Sequence, residues 1–177
     1  YPRIRPHFNQ SMSSQILPDI RRGVLDGGFF FGPCSSADLA VTTLAEVPMR
    51  IVGPADWADR VEDASLDALA QLPWVYTSDT CPFYALNCAV FADVERPPAR
   101  VAYVDSEDAV RELIRAGAGL SMLRGDDALR LQRGGDACVW HGETPTITLG
   151  FAVQRQRAGE PLVEALHEVV DGMWRSD

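Results

Sequence analysis

Two periods of apolar residues succeed each other along this chain, and the segment 103–125, YVDSEDAVRELIRAGAGLSMLRG, shows both within 23 residues. Val101, Tyr103 and Val104 give the β-branched and aromatic content of a strand. Ser106, with Glu107 and Asp108 behind it, predicts a helix start through N-capping and acidic first-turn residues. Val110, Leu113 and Ile114 then recur at spacings of three and four, while Arg111, Glu112 and Arg115 fall on the opposite face. Gly117 stands where a left-handed helix cap belongs, and Gly119 permits a tight reversal into an apolar strand at 120–123. The segment is a strand, helix and strand corner.

The same alternation runs through the remainder. Strand patterns at 4–9, 28–31, 39–52, 74–76, 138–140 and 147–154 are separated by helix patterns at 14–23, 66–71, 82–91, 127–133 and 161–174. Pro82 suits the first turn of its helix. Strands alternating with helices predict an α/β protein built of βα units around a largely parallel sheet. The long extended runs at 43–54 and 147–154 are natural crossovers between two lobes. Lobe I takes residues 1–51 and 151–177, lobe II residues 52–150, with a hinged cleft between them. No internal repeat or low-complexity tract interrupts this order.

Composition narrows the class. With 177 residues, 46% apolar and 23% charged, the chain is long and apolar enough to bury a core. No apolar run approaches the roughly 18 residues of a membrane span, and no secretory signal pattern opens the sequence. A cytoplasmic location without a membrane partner is expected. The net charge of −9 opposes approach to a phosphate backbone, so these residues should not themselves hold DNA. Every basic side chain is arginine, scattered rather than striped.

Signs of catalysis are missing: there is no G-x-S-x-G, H-E-x-x-H, P-loop or G-x-G-x-x-G pattern. His7, His141 and His167 lie on separate elements without metal-ligand spacing, so neither a metal nor a cofactor is expected. Cys34, Cys81, Cys88 and Cys138 read as free thiols in a chain with ample core. Seven helical residues separate Cys81 from Cys88, about 10 Å of rise, and a disulfide needs α-carbons within about 7 Å.

Binding chemistry has better candidates. Ser78, Asp79, Thr80 and Cys81 precede a helix N-terminus, where unpaired N–H groups favour an anion; simple capping by Ser78 or Thr80 is the alternative. Ser13 or Ser14 opens the helix at 14–23 in the same way. Arg124 follows the strand at 120–123, where a guanidinium can grip a carboxylate in bidentate fashion or pair with Asp126, Asp127 or Asp105. Alternation along Phe29, Phe30 and Phe31 turns at least one ring, Phe31 among the candidates, to the cleft.

The order of these segments resembles the effector-binding domain of LysR-type transcriptional regulators. The matching stretches are QILPDIRRGVLDGGFFF at 15–31, the crossing strand at 43–54 and the short helix with PWVYTS at 65–78. SEDAVRELIRAGAGL at 106–120 and the returning strand at 147–154 complete the set. The resemblance covers nearly the whole chain. It implies two Rossmann-like lobes of the periplasmic-binding-protein type II-like fold with a small anionic metabolite bound between them; joined to the residue reading above, this places the metabolite at Ser13, Ser14, Phe31, Ser78, Asp79, Thr80, Cys81 and, on the chemistry of its guanidinium alone, Arg124. It further implies a homodimer or higher homo-oligomer. DNA would be bound only through a helix-turn-helix preceding Tyr1-Pro2; the first strand and helix of lobe I would also precede that point. Arg124 stands where many relatives carry proline. A peroxide-sensing branch places its reactive cysteine at the turn of Cys81, which makes a thiol-based redox sensor one alternative. An extracytoplasmic solute-binding protein of the same fold is the other.

Overall fold

The computed structural model describes residues 4–174. Seven strands and seven α-helices follow one another among them. In chain order they are α1 (Ser13–Arg21), β1 (Gly27–Phe31), β2 (Leu39–Pro54), α2 (Ala58–Val61), α3 (Leu66–Ala70), β3 (Pro73–Thr77) and α4 (Pro82–Val90). There follow β4 (Ala99–Val104), α5 (Glu107–Arg115), β5 (Ser121–Arg124), α6 (Gly125–Arg133), β6 (Ala137–Val139), β7 (Thr146–Gln154) and α7 (Pro161–Trp174).

The 16-residue β2 belongs to two sheets. Its first half, through Pro48 opposite Thr146, pairs antiparallel with β7, whose other edge carries β1. From Met49, opposite Arg124, it pairs antiparallel with β5, and from Val52 with β6 on its other side. A parallel bridge between Trp74 and Leu120 joins β5 to β3, and β3 pairs parallel with β4. Burial follows this exchange. Along β2 it alternates while one face is solvated, then becomes nearly continuous beyond Pro48, where both faces are covered.

Two expectations change. Among the described residues only the β3–β4 ladder and the Trp74–Leu120 bridge are parallel, because both crossing strands run against their neighbours. Strand and helix alternation fixes the order of elements but not the direction in which a long strand re-enters. The strand expected at 4–9 does not form: residues 4–10 have no ladder, and Phe8 is 84% exposed. Extended backbone without a partner strand leaves its N–H and C=O groups to water. Residues 1–3 and 175–177, assigned to lobe I, lie outside the described residues.

Each lobe has its own packing. On the β1, β2 and β7 sheet, Ile20, Phe30, Leu39 and Ala152 cover one face, and Phe151, Val153, Val163 and Val170 the other. In the second lobe Trp74, Leu69, Met122 and Leu120 fill one side of the sheet, while Val75, Val110, Ile114 and Leu123 fill the other. Full burial of such side chains contributes about 1.5–3 kcal/mol each. The Trp74 indole N–H, buried with its ring, donates to Leu69 O at 2.9 Å. α5 buries Val110 and Ile114 and leaves its charged residues outside. Gly117 closes it at φ +78, with the Gly117 and Ala118 N–H groups returning to Ile114 O and Leu113 O. The helices α4 and α5 start at the C-terminal ends of β3 and β4, and α1 starts across the cleft from them. This is how α/β folds present ligand sites.

Candidate functional site

A cavity of about 480 Å³ lies where α1, α4 and α5 begin. Ile16, Phe29, Phe31 and Phe83 supply apolar surface; Ser11, Ser13, Thr77 and Cys81 supply hydroxyls and a thiol; Asp105, Ser106, Glu107 and Asp108 form an acidic side. Among the described residues no arginine, lysine or histidine lines it.

None of the three helix starts is capped by a side chain: Met12, Cys81 and Ser106 occupy the cap positions of α1, α4 and α5 without a capping hydrogen bond. Serine does cap at α3, where Ser65 Oγ accepts from Ala68 N at 3.2 Å. Three sets of first-turn N–H groups therefore meet the cleft without a capping side chain, which together with the helix dipoles favours a ligand acceptor. The expected caps have other partners. Ser13 is helical and its Oγ accepts from Phe31 N at 2.9 Å, tying α1 to β1. Ser78 holds its own turn: its carbonyl accepts from Cys81 N at 2.8 Å and its hydroxyl lies 3.1 Å from Thr80 Oγ1.

Of the residues singled out by sequence, Ser13, Phe31 and Cys81 line the cavity. Ser14 and Thr80 lie outside the lining and meet at the exposed rim of the cleft, the Ser14 hydroxyl donating to Thr80 Oγ1 at 3.4 Å. Phe31 also crosses, with its ring 5.2 Å from that of Phe83. Ser78 and Asp79 stand in the turn beside this contact, outside the lining. Arg124 is not brought to the cavity wall. Its Nε donates to Glu107 at 3.2 Å and its Nη2 to Asp127 at 2.5 Å, with Asp126 at 3.9 Å. Burial works against the guanidinium's charge, but Glu107, Asp127 and Asp126 outweigh it and raise the pKa above its ordinary value. Arg124 thus positions Glu107, which does line the cavity.

The acidic side escapes a reading of sequence alone because acids in a first turn are ordinary helix-dipole residues. Their place after the C-terminal end of β4 was the available signal. Glu107 is held by Arg124 and Asp108 by Arg111, whereas Asp105 is exposed and has no hydrogen bond or ion pair among the described residues. Behind the Thr77 and Phe83 wall a void of about 10 Å³ holds Asn87, buried, with an Oδ1 that has no partner. The cysteines are all free, and α4 is continuous between Cys81 and Cys88. Among the described residues no group of three or more His, Cys, Asp or Glu side chains could hold a metal ion. No helix of the described residues is long and apolar enough to cross a membrane.

Two α/β lobes sharing a crossing strand, with helix starts facing a cleft, define a ligand-binding domain of the periplasmic-binding-protein type II-like class. The LysR substrate binding domain profile matches residues 1–175, and the chain belongs to that family. Among solved structures, the effector-binding domain of QuiR in complex with shikimate has a TM-score of 0.80 at 16% identity, over 96% of this chain and 81% of that one. The regulatory domain of CcmR from Synechocystis PCC6803, in complex with 2-PG, has a TM-score of 0.83 at 13% identity, over 99% and 86%. A full-length OxyR variant from Pseudomonas aeruginosa has a TM-score of 0.73 at 18% identity, over 97% of this chain and 60% of that longer one. At these identities the likeness is one of fold. Among curated protein sequences none matches the chain significantly.

Proposed function

We propose that this chain is the sensory part of a LysR-type transcriptional regulator. A small carboxylate-bearing metabolite, held between the lobes, biases their closure, and the signal reaches DNA through a helix-turn-helix outside this sequence. The observation that carries the reading is the 480 Å³ cavity onto which three uncapped helix starts open. The shikimate and 2-PG held by structures of the same fold favour a small acid. Its carboxylate belongs with Ser13, Ser14, Ser78, Thr80, Cys81 and the neighbouring Asp79 turn, and its body against Phe31; Arg124 acts by setting Glu107.

On this reading the lobes divide as 1–51 with 151–177 and 52–150; β2 changes partners nearby, at Pro48 and Met49, and β7 pairs with the first half of β2 from Thr146 onward. Chemistry on the ligand is not part of this reading. Self-association is, and the outer edge of β4, with Val101 54% and Tyr103 47% exposed, offers surface for it.

A ligand acts only through its different affinities for the open and closed forms. At 100 times its Kd it adds about 2.7 kcal/mol, which for a chain of this size is about 5–10 °C in Tm. Thermal unfolding across a panel of small metabolic acids should find such a shift. If none of them raises Tm, the proposal fails. Peroxide treatment followed by mass spectrometry separates the redox reading, which requires a Cys81–Cys88 link and hence unwinding of α4.

A further inference from the structure

We infer that the cleft selects an amphoteric ligand, an amino acid with an apolar side chain, whose carboxylate faces the α1 and α4 starts and whose ammonium faces Asp105 and Asp108. This rests on the reading of the cleft as the effector site and goes beyond it by naming the ligand's class. The charge of the lining carries the argument. Among the described residues, three of those lining it are carboxylates and none is cationic.

The second-lobe wall stays acidic after its ion pairs are taken into account. Arg111, Arg124 and Arg130 serve Glu107, Asp108, Asp126 and the buried Asp127, and Asp105 is left without a counter-ion among the described residues. Three guanidiniums thus stand among five carboxylates. A purely anionic ligand placed here would be stripped of water beside like charges, which disfavours its ionised form.

The facing wall is the converse. Ser11 and Ser13 hydroxyls and the uncapped starts of α1 and α4 offer donors without a formal charge. Such groups hold a carboxylate well. Between the two walls Ile16, Phe29, Phe31 and Phe83 are apolar and accept a hydrocarbon side chain. One molecule that satisfies all three surfaces carries a carboxylate, an ammonium and an apolar body.

Isothermal titration of the full 177-residue chain with L-phenylalanine, 3-phenylpropanoate and 2-phenylethylamine varies the charges on one apolar body. L-leucine, 4-methylpentanoate and isopentylamine repeat the comparison with a smaller one. The amino acid of at least one set should bind at least about tenfold tighter than either partner, one factor of ten being 1.4 kcal/mol. The Asp105→Asn variant, altered at an exposed position, should lose that advantage while keeping its affinity for the deaminated acid. Binding of the deaminated acid as tight as that of its amino acid overturns the inference and leaves the small-acid sensor intact. If all six probes fail while another small acid raises Tm, the inference again falls alone. If no compound of either panel binds, both readings fall.

Discussion

Asn87 is the residue whose burial has no return in hydrogen bonding. It is 3% exposed, its Oδ1 has no partner, and the void of about 10 Å³ beside it has room for one water at most. A buried acceptor left unsatisfied costs about 1–3 kcal/mol. Asn87→Leu, similar in volume and without polar atoms, should therefore hold or raise stability in urea unfolding. Asn87→Asp should lower it by about 3 kcal/mol near neutral pH, because it buries an uncompensated charge. Equal losses in both variants would show that the amide already has a donor. Tyr76 gives a pH dependence of known sign. Burial first, then nearby Cys88, pushes its hydroxyl up from 10.0 to about 12, against the pull of Arg100, whose guanidinium stands 5.4 Å from the ring centre. The folded value lies above the unfolded one, so the contribution is complete below pH 10 and is lost as pH rises through 12. Phenolate absorbance should show one tyrosine ionising near that upper value. Tyr76→Phe should remove that step and flatten the alkaline loss of stability.

At the scale of elements, the corner from β4 through α5 to β5 holds two glycines for different reasons. Gly117 has a left-handed φ of +78, and an added Cβ would meet nothing within 4 Å. Gly119 has no such φ, but a Cβ there would lie 2.5 Å from Pro73 O, the carbonyl to which Leu120 N donates. Gly117→Ala should thus cost about 1–2 kcal/mol of backbone strain, with Gly117→Asn cheaper. Gly119→Ala should cost more, because β5 must move off β3. Urea unfolding of the three variants checks the order; an equal cost for both alanines would refute it. This corner was readable because its signals are local: a stripe at helical spacing, acids in a first turn, glycines at the end. Strand direction was not local. Nothing within 39–54 says that Met49 will face Arg124 while Pro48 faces Thr146. The site divides likewise. Ser13, Phe31 and Cys81, read as helix-start and strand-end residues, line the cavity, and Arg124 makes the pairing with Asp126 and Asp127 given as its alternative role; its third partner, Glu107, was not legible because it lies 17 residues away on another element. The acidic wall went unseen since Asp105 and Asp108 acquire their meaning only opposite α1.

For the whole molecule, the proposed balance between an open and a closed cleft would rest on few groups. The covalent crossing is β2 at Pro48 and Met49 and the chain entering β7, and these are braced together. Arg50 Nη1 donates to Thr144 Oγ1 at 2.7 Å and to Met49 O at 3.1 Å, and Met49 N donates to Pro145 O at 3.0 Å. The two crossings therefore bend as one. Direct contact across the cleft includes Ser14 with Thr80, a long hydrogen bond at the exposed rim, and the rings of Phe31 and Phe83. Interfaces this small hold a conformation by only a few kcal/mol, within the reach of a ligand that prefers one form, as the proposed function requires. Phe31→Ala removes the ring contact while sparing the fully buried core of either lobe. The open form should gain, small-angle scattering should show a larger radius of gyration, and ligand affinity should fall by at least the fraction of closed molecules lost, the ring's own contact with the ligand adding to that fall. Saturating ligand should then return the variant to the compact form, since the ligand stabilises closure even without the ring. A variant as compact as the parent and binding as tightly would place the hinge's resting point in the Arg50–Thr144 brace instead, and Thr144→Val would be the change that opens it.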